Sequence, residues 1–170
     1  MRINKTRYGQ DQLTVTIAKK WLKIEETQVE DDDLIRSLIT EAREILENYL
    51  NVSFVQTSIS AITSETYLEL PYSPINQIDN VQAYPSGTSM EYTWDGEYIN
   101  FINTNIGTSV YSTGTYLINY DAGFSSLPIV FELAWKQTLS FLYENRGDIK
   151  IGDYLKFNIG INNLRKKVWI

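Results

Sequence analysis

The sequence predicts an α+β fold that is mainly helical, a bundle of about three helices with an inserted small antiparallel β region. Two observations lead there. Over residues 13–24, 31–50 and 128–145, apolar side chains recur every three to four positions, the spacing of a helix that buries one stripe. Over about residues 54–121 the pattern changes to short runs rich in Ile, Val, Tyr, Phe and Thr, broken by Gly, Pro, Asn and Ser, as strands and turns require. The 170 residues suffice for one domain with a real core. The expected organisation is a flexible arm at 1–12, a domain at 13–147 and a tail at 148–170.

Each element has a local reason. In "LTVTIAKKWLKI", Leu13, Ile17 and Trp21 fall four apart, with Ala18 and Leu22 beside them. Thr14 is the expected N-cap, and Lys19, Lys20 and Lys23 suit the negative C-terminal end of a helix. In "DDDLIRSLITEAREILENYL", the apolar residues from Leu34 to Leu50 share one broad face, with Arg36, Glu41, Arg43, Glu44 and Glu47 opposite. Asp31, Asp32 and Asp33 sit where a helix N-terminus favours negative charge. In the β region, Asp95-Gly96 predicts a tight hairpin turn, and the prolines of "LPYSP" predict a strand end or edge. Residues 103–114 read as a loop or loose hairpin. Ser125 or Ser126 is the expected cap of the last helix, and Pro128 suits its first turn. Its apolar residues, from Ile129 to Tyr143, cover most of the circumference, which predicts a helix that is central or shared with another subunit.

Composition excludes several chemistries. There is no cysteine and no histidine. Disulfides, thiolate metal sites and Ser-His-Asp or Cys-His catalysis therefore cannot be built. No cofactor is expected. No apolar run approaches the roughly 20 residues of a membrane span, and no apolar segment follows the basic start, so a soluble protein made in the cytosol, with no membrane partner, is expected. The net charge of −6 is unevenly spread. Residues 25–135 hold 17 acids and two bases, while the two ends hold four acids and 13 bases. An acidic middle makes the molecule a poor general DNA binder.

Several short motifs have plain explanations. Arg146-Gly147-Asp148 resembles an adhesion tripeptide, but a cation in the last helical turn followed by glycine is also how a helix stops. "DDD" lacks the alternating ligands and the glycine of a calcium loop, so helix capping is the better reading. Glu65 with Glu69, or Asp95 with Glu97, could serve a glycosidase, but carboxylates on strands usually face solvent. Tyr84, Tyr92, Trp94, Tyr98 and Phe101 could form a sugar platform, and cross-strand packing explains them more simply.

Four phrases in order, "LTVTIAKKWLKI", "DDDLIRSLITEAREILENYLN", "LELPYSPINQIDNVQAY" and "YLINYDAGFSSLPIVFELAWKQTLSFLYENRGD", resemble the head–tail connector family of tailed bacteriophages, also called head-completion or adaptor proteins. The resemblance covers about residues 13–147, and "LPYSPI", "YDAGF" before "LP", and "LYENR" are its most specific pieces. A departure is Thr16-Ile17 in the first helical turn, where the family often has acids. The resemblance implies a non-enzymatic structural protein of the virion head–tail interface. Copies would form a ring, expected to be twelvefold, docked under the portal protein. The ring would extend the channel for genomic DNA, which passes without sequence-specific binding, and would offer a platform to a tail-side stopper or completion protein.

Three residue sets are expected to carry this role. Phe131, Trp135, Leu139 and Tyr143 are candidates for a ring interface, and Glu41, Glu44 and Glu47 for acids facing the channel. Leu164, Arg165, Lys166, Lys167, Val168, Trp169 and Ile170 are candidates for contact with portal or neighbour, because three apolar residues including a tryptophan are costly to leave in water. The alternative expectation is a carbohydrate- or surface-binding module of a virion, using the aromatic set above.

Overall fold

A computed structural model of the chain describes residues 1–102, 114–145 and 151–164. The residues of the adhesion-like tripeptide, and Arg165 to Ile170, lie outside the described residues, as does nearly all of the expected loop at 103–114. The chain divides into two compact units. One comprises Met1–Gly9 with Val55–Ser125, and the other Gln10–Phe54 with Ser126–Ile170.

Among the described residues the first unit is all strand. A four-stranded antiparallel sheet has the order β1 (Arg2–Arg7), β2 (Thr57–Thr63), β7 (Thr115–Ala122), β4 (Ile75–Tyr84). A second, three-stranded sheet has the order β3 (Tyr67–Glu69), β6 (Tyr98–Ile102), β5 (Glu91–Trp94). Registers are direct: Ile59 faces Tyr120, Ala61 faces Ile118, and Leu68 faces Ile99. Every second residue of β2 and β7 is buried, the period a pleated strand imposes. Ile59, Ala61, Ile118 and Tyr120 from the larger sheet, and Leu68, Ile99 and Phe101 from the smaller, join one apolar cluster. The opposite face of the larger sheet carries a polar ladder. Ser58 donates to Asp121 at 2.6 Å, Ser60 to Asn119 at 2.5 Å, and Asn119 to Asn80 at 2.7 Å.

The second unit is all helix among its described residues: α1 (Val15–Leu22), α2 (Asp32–Leu50), α3 (Ile129–Glu144), α4 (Ile151–Phe157) and α5 (Ile159–Leu164). Thr14 caps α1 as expected, its hydroxyl accepting from the Ile17 amide. Lys23 ends α1 at φ 59°, and Asn51 ends α2 at φ 57°. The core gathers Ile35, Ile39, Ala42, Leu46 and Leu50 from α2 and Trp135, Leu139 and Leu142 from α3, all buried. Trp135 donates its indole N–H to the Ile39 carbonyl at 2.9 Å and meets the Phe54 ring edge-on at 5.7 Å. Asn158 separates α4 from α5 and accepts from the Ile161 amide, and Phe141 stacks on Tyr154 at 4.1 Å.

The expectation of a mainly helical bundle with a small β insertion is overturned. The fold is α+β, with five helices beside two antiparallel sheets of seven strands among the described residues. The β part is larger because residues 2–7, polar and unremarkable in sequence, pair along their whole length with β2, Arg2 opposite Ile62 and Arg7 opposite Thr57. It is also independent: the two sheets share their own apolar cluster rather than decorating a bundle.

Candidate functional site

The helix α2 positions the acids expected to face a channel, and its geometry separates them. Glu41 and Glu44 are exposed. Together with Arg36, Ser37, Thr40, Ile45 and Asn48 they line an open groove of about 580 Å³. Their spacing of three and four residues puts them on one face. Arg36, at one end of it, pairs with Asp33 at 2.5 Å. Glu47 is different. It is 1% exposed, and its carboxylate accepts the Phe54 amide at 2.8 Å, just after the chain has turned at Asn51. It closes the end of a helix and does not look outward.

The three aspartates at the start of α2, Asp31 at the N-cap and Asp32 and Asp33 in the first turn, are each accounted for. Asp31 accepts from the Tyr143 hydroxyl at 2.9 Å, Asp32 pairs with buried Lys19, and Asp33 with Arg36. Lys19 also donates to the Gln28 carbonyl at 2.7 Å. Buried Arg43 pairs with Asp11. Among the described residues there is no group of three or more potential metal ligands.

Along α3 the expected interface residues divide. Trp135 and Leu139 are fully buried inside the helical unit. Phe131 packs on Phe54 with ring centres 5.6 Å apart, and Tyr143 is half-buried with its hydroxyl on Asp31. These residues hold the unit together. The surface of α3 is instead Ile129, Val130 and Leu133, exposed by 72%, 49% and 44%. Ile17 and Trp21 of α1 are also exposed. Trp21 donates to the Ser140 hydroxyl of α3 at 2.8 Å, with Lys136 above its ring at 5.7 Å. The signal for this surface was in the sequence, in the excess of apolar residues round α3. Which side was surplus could not be read without the partners of Trp135.

Of the residues expected to meet portal or neighbour, only Leu164 is described, as the last residue of α5. Tyr49 of α2 holds this end of the unit, its hydroxyl donating to the Asn162 side chain at 2.9 Å.

In the β unit the aromatic set does not make one platform. Phe101 is buried and stacks on Tyr116 at 4.3 Å, whereas Tyr98 stacks on exposed Tyr67 at 5.1 Å. Neighbours along β6 point to opposite faces, so Tyr98 and Phe101 cannot share a surface. The Asp95 carboxylate accepts the Tyr98 and Glu97 amides at 2.7 and 2.9 Å. Those amide bonds, the Tyr98 one foremost, hold its pKa below the ordinary value. It is a turn residue. No described helix is long and apolar enough to cross a membrane.

Residues 12–92 match the sequence model of the phage gp6-like head-tail connector proteins. No curated protein sequence matches the chain. Solved structures share its fold. A chain in the neck of an empty gene transfer agent particle, with C6 symmetry, aligns at TM-score 0.74 and 16% identity, covering 100% of this chain and 98% of that one. A chain in the virion of a native gene transfer agent particle gives the same values. A chain in the native neck with C12 symmetry aligns at TM-score 0.65 and 15% identity over the same shares. The resemblance expected from the sequence is borne out: through residues 12–92 this chain carries the pattern of the phage gp6-like head-tail connector family.

Proposed function

We propose that the chain is a structural connector of a phage or prophage virion neck, assembled as a ring between head and tail. The observation that carries this reading is the agreement of two independent likenesses. A connector family matches residues 12–92, and chains of symmetric virion necks match the fold over the whole chain. The C6 and C12 symmetries of those particles favour a ring, and twelve copies under a portal protein is the arrangement proposed.

A ring needs a heterologous contact, one face of a copy against a different face of the next. The exposed Ile129, Val130 and Leu133 supply the apolar face, in place of the buried Trp135 and Leu139. Glu41 and Glu44 supply fixed negative charge toward the channel, which keeps packaged DNA from gripping the wall. Residues 164–170, with three cations and an apolar end, make the contact with the portal, and the opposite side of the ring receives a tail-side stopper. The protein acts by docking and has no catalytic step.

The test is sedimentation of the purified chain with portal-bearing, tailless heads. The full chain is expected to travel with the heads, and a chain lacking 164–170 to stay behind while melting normally. Equal binding by both would remove that segment from the portal contact. No binding by either would remove the connector reading.

A further inference from the structure

Trp21 is an exposed tryptophan that is nevertheless held in place. Its indole N–H donates to the Ser140 hydroxyl at 2.8 Å, and the Lys136 ammonium, paired with Glu132 at 2.6 Å, lies 5.7 Å from the ring centre. Both the N–H and the ring are thus fixed, while 42% of the residue stays open to solvent. A large ring that loses little freedom on contact is what makes a tryptophan an anchor. Along α3, Ile129, Leu133, Lys136 and Ser140 follow at spacings of four, three and four, so they share one stripe. Trp21, set against Lys136 and Ser140, extends the exposed surface of Ile129 and Leu133.

A second exposed apolar surface lies in the β unit. Asn100 faces Tyr67 on one side and Thr93 on the other, and Ile102 faces Glu91. These positions on β6 alternate with buried Ile99 and Phe101, so they belong to the outer face of the smaller sheet. Tyr67 and Ile102 are exposed, and the Tyr67 ring lies 6° from parallel on that of Tyr98. The two surfaces carry opposite charge. Helix α1 brings Lys20 and Lys23, both exposed, and has no acid. Residues 55–125 hold seven acids and no base, and Glu91 is exposed on the sheet face.

We propose that Trp21, with Ile129 and Leu133, seats on the outer face of the smaller sheet of a second copy, against Tyr67, Tyr98 and Ile102, with Lys20 and Lys23 toward its acids. Resting on the ring reading above, this contact supplies the second, different face that a heterologous ring interface needs. The charges also set its sense. Two helical faces brought together would oppose lysines, and two sheet faces would oppose acids, so unlike faces are favoured.

The contact is tested on chains that travel with portal-bearing, tailless heads, so the connector reading is checked first. The sequence has no cysteine. One set of chains carries Val130→Cys and another Thr93→Cys, at exposed positions on the two faces. When a short bis-maleimide is added to head-bound chains, linked dimers are expected from the mixture and from neither set alone. Dimers from one set alone would show like faces meeting and overturn the proposal, as would head-bound chains that give no dimer. Chains that never sediment with heads would remove the connector reading, and this contact with it. Independently, Trp21→Ala is expected to melt nearly as wild type and to need at least about tenfold more protein for the same linked yield. An unchanged yield would overturn the anchor.

Discussion

Glu47 and Phe54 are joined by a hydrogen bond of 2.8 Å from the Phe54 amide to a carboxylate that is 1% exposed. Asn51 turns the chain at φ 57°, and the Val52 amide returns to the Glu47 carbonyl at 3.2 Å. One residue therefore takes three amides of the segment that follows its own helix, those of Asn51, Val52 and Phe54. Glu47→Ala leaves the buried Phe54 amide without its acceptor and should cost about 1–3 kcal/mol. Glu41→Ala, on the exposed face, should change stability by less than about 0.5 kcal/mol. Urea unfolding of the two variants checks this, and equal effects would contradict the separation of the two acids.

Trp135 and Ile129 lie on the same helix and should behave oppositely. Trp135→Ala removes a buried ring that bonds to Ile39 and touches Phe54, at a cost of about 3–5 kcal/mol. Ile129→Ser, at a position 72% exposed, should leave the melting temperature nearly unchanged and weaken ring formation. Thermal melts beside sedimentation velocity separate the two effects. A stable Trp135→Ala chain that fails to form rings would return Trp135 to the interface.

Gly123 is fixed by geometry. It adopts φ +104°, and a Cβ there would come within 2.1 Å of the Val55 carbonyl oxygen. Gly123→Ala should cost at least about 1–3 kcal/mol from the backbone conformation alone, read as a lower urea midpoint. A neutral substitution would mean that the β unit tolerates a shift at this corner.

Asp95 gives the β5–β6 hairpin a pH dependence. Its folded pKa is depressed, first by the Tyr98 amide and then by that of Glu97. The stabilisation is therefore present above its ordinary value of 3.8 and is lost as pH falls through the lowered folded value. Wild type should be more stable than Asp95→Asn at neutral pH, and the gap should close in strong acid. A gap independent of pH would show that the carboxylate charge is not what the amides hold.

What could be read from the sequence was what local spacing determines. Thr14, the apolar stripe of α2 and the Asp95-Gly96 turn are set by neighbours within a few residues, and each is found. The "YDAGF" phrase that marked the family contains Gly123, whose conformation and close approach explain why a glycine stands there. Strand β1 was missed because its reason is distant: "RINKTR" has no apolar alternation, and its partner is β2, some 55 residues away. The size of the β part was underestimated for the same reason, since the cluster linking Ile59, Ile99 and Ile118 is entirely non-local. At the candidate site, helical spacing placed Glu47 beside Glu44. Only the return of the chain over Glu47 showed that one is packing and the other surface.

The central claim is that the chain forms a ring under the portal. Electron microscopy of the purified protein added to portal-bearing, tailless heads tests it most directly. The account predicts new density directly below the portal, with the portal's symmetry, into which both the all-β and all-helix units fit. Heads that keep an unchanged portal face at saturating protein, and still leak DNA, would contradict it.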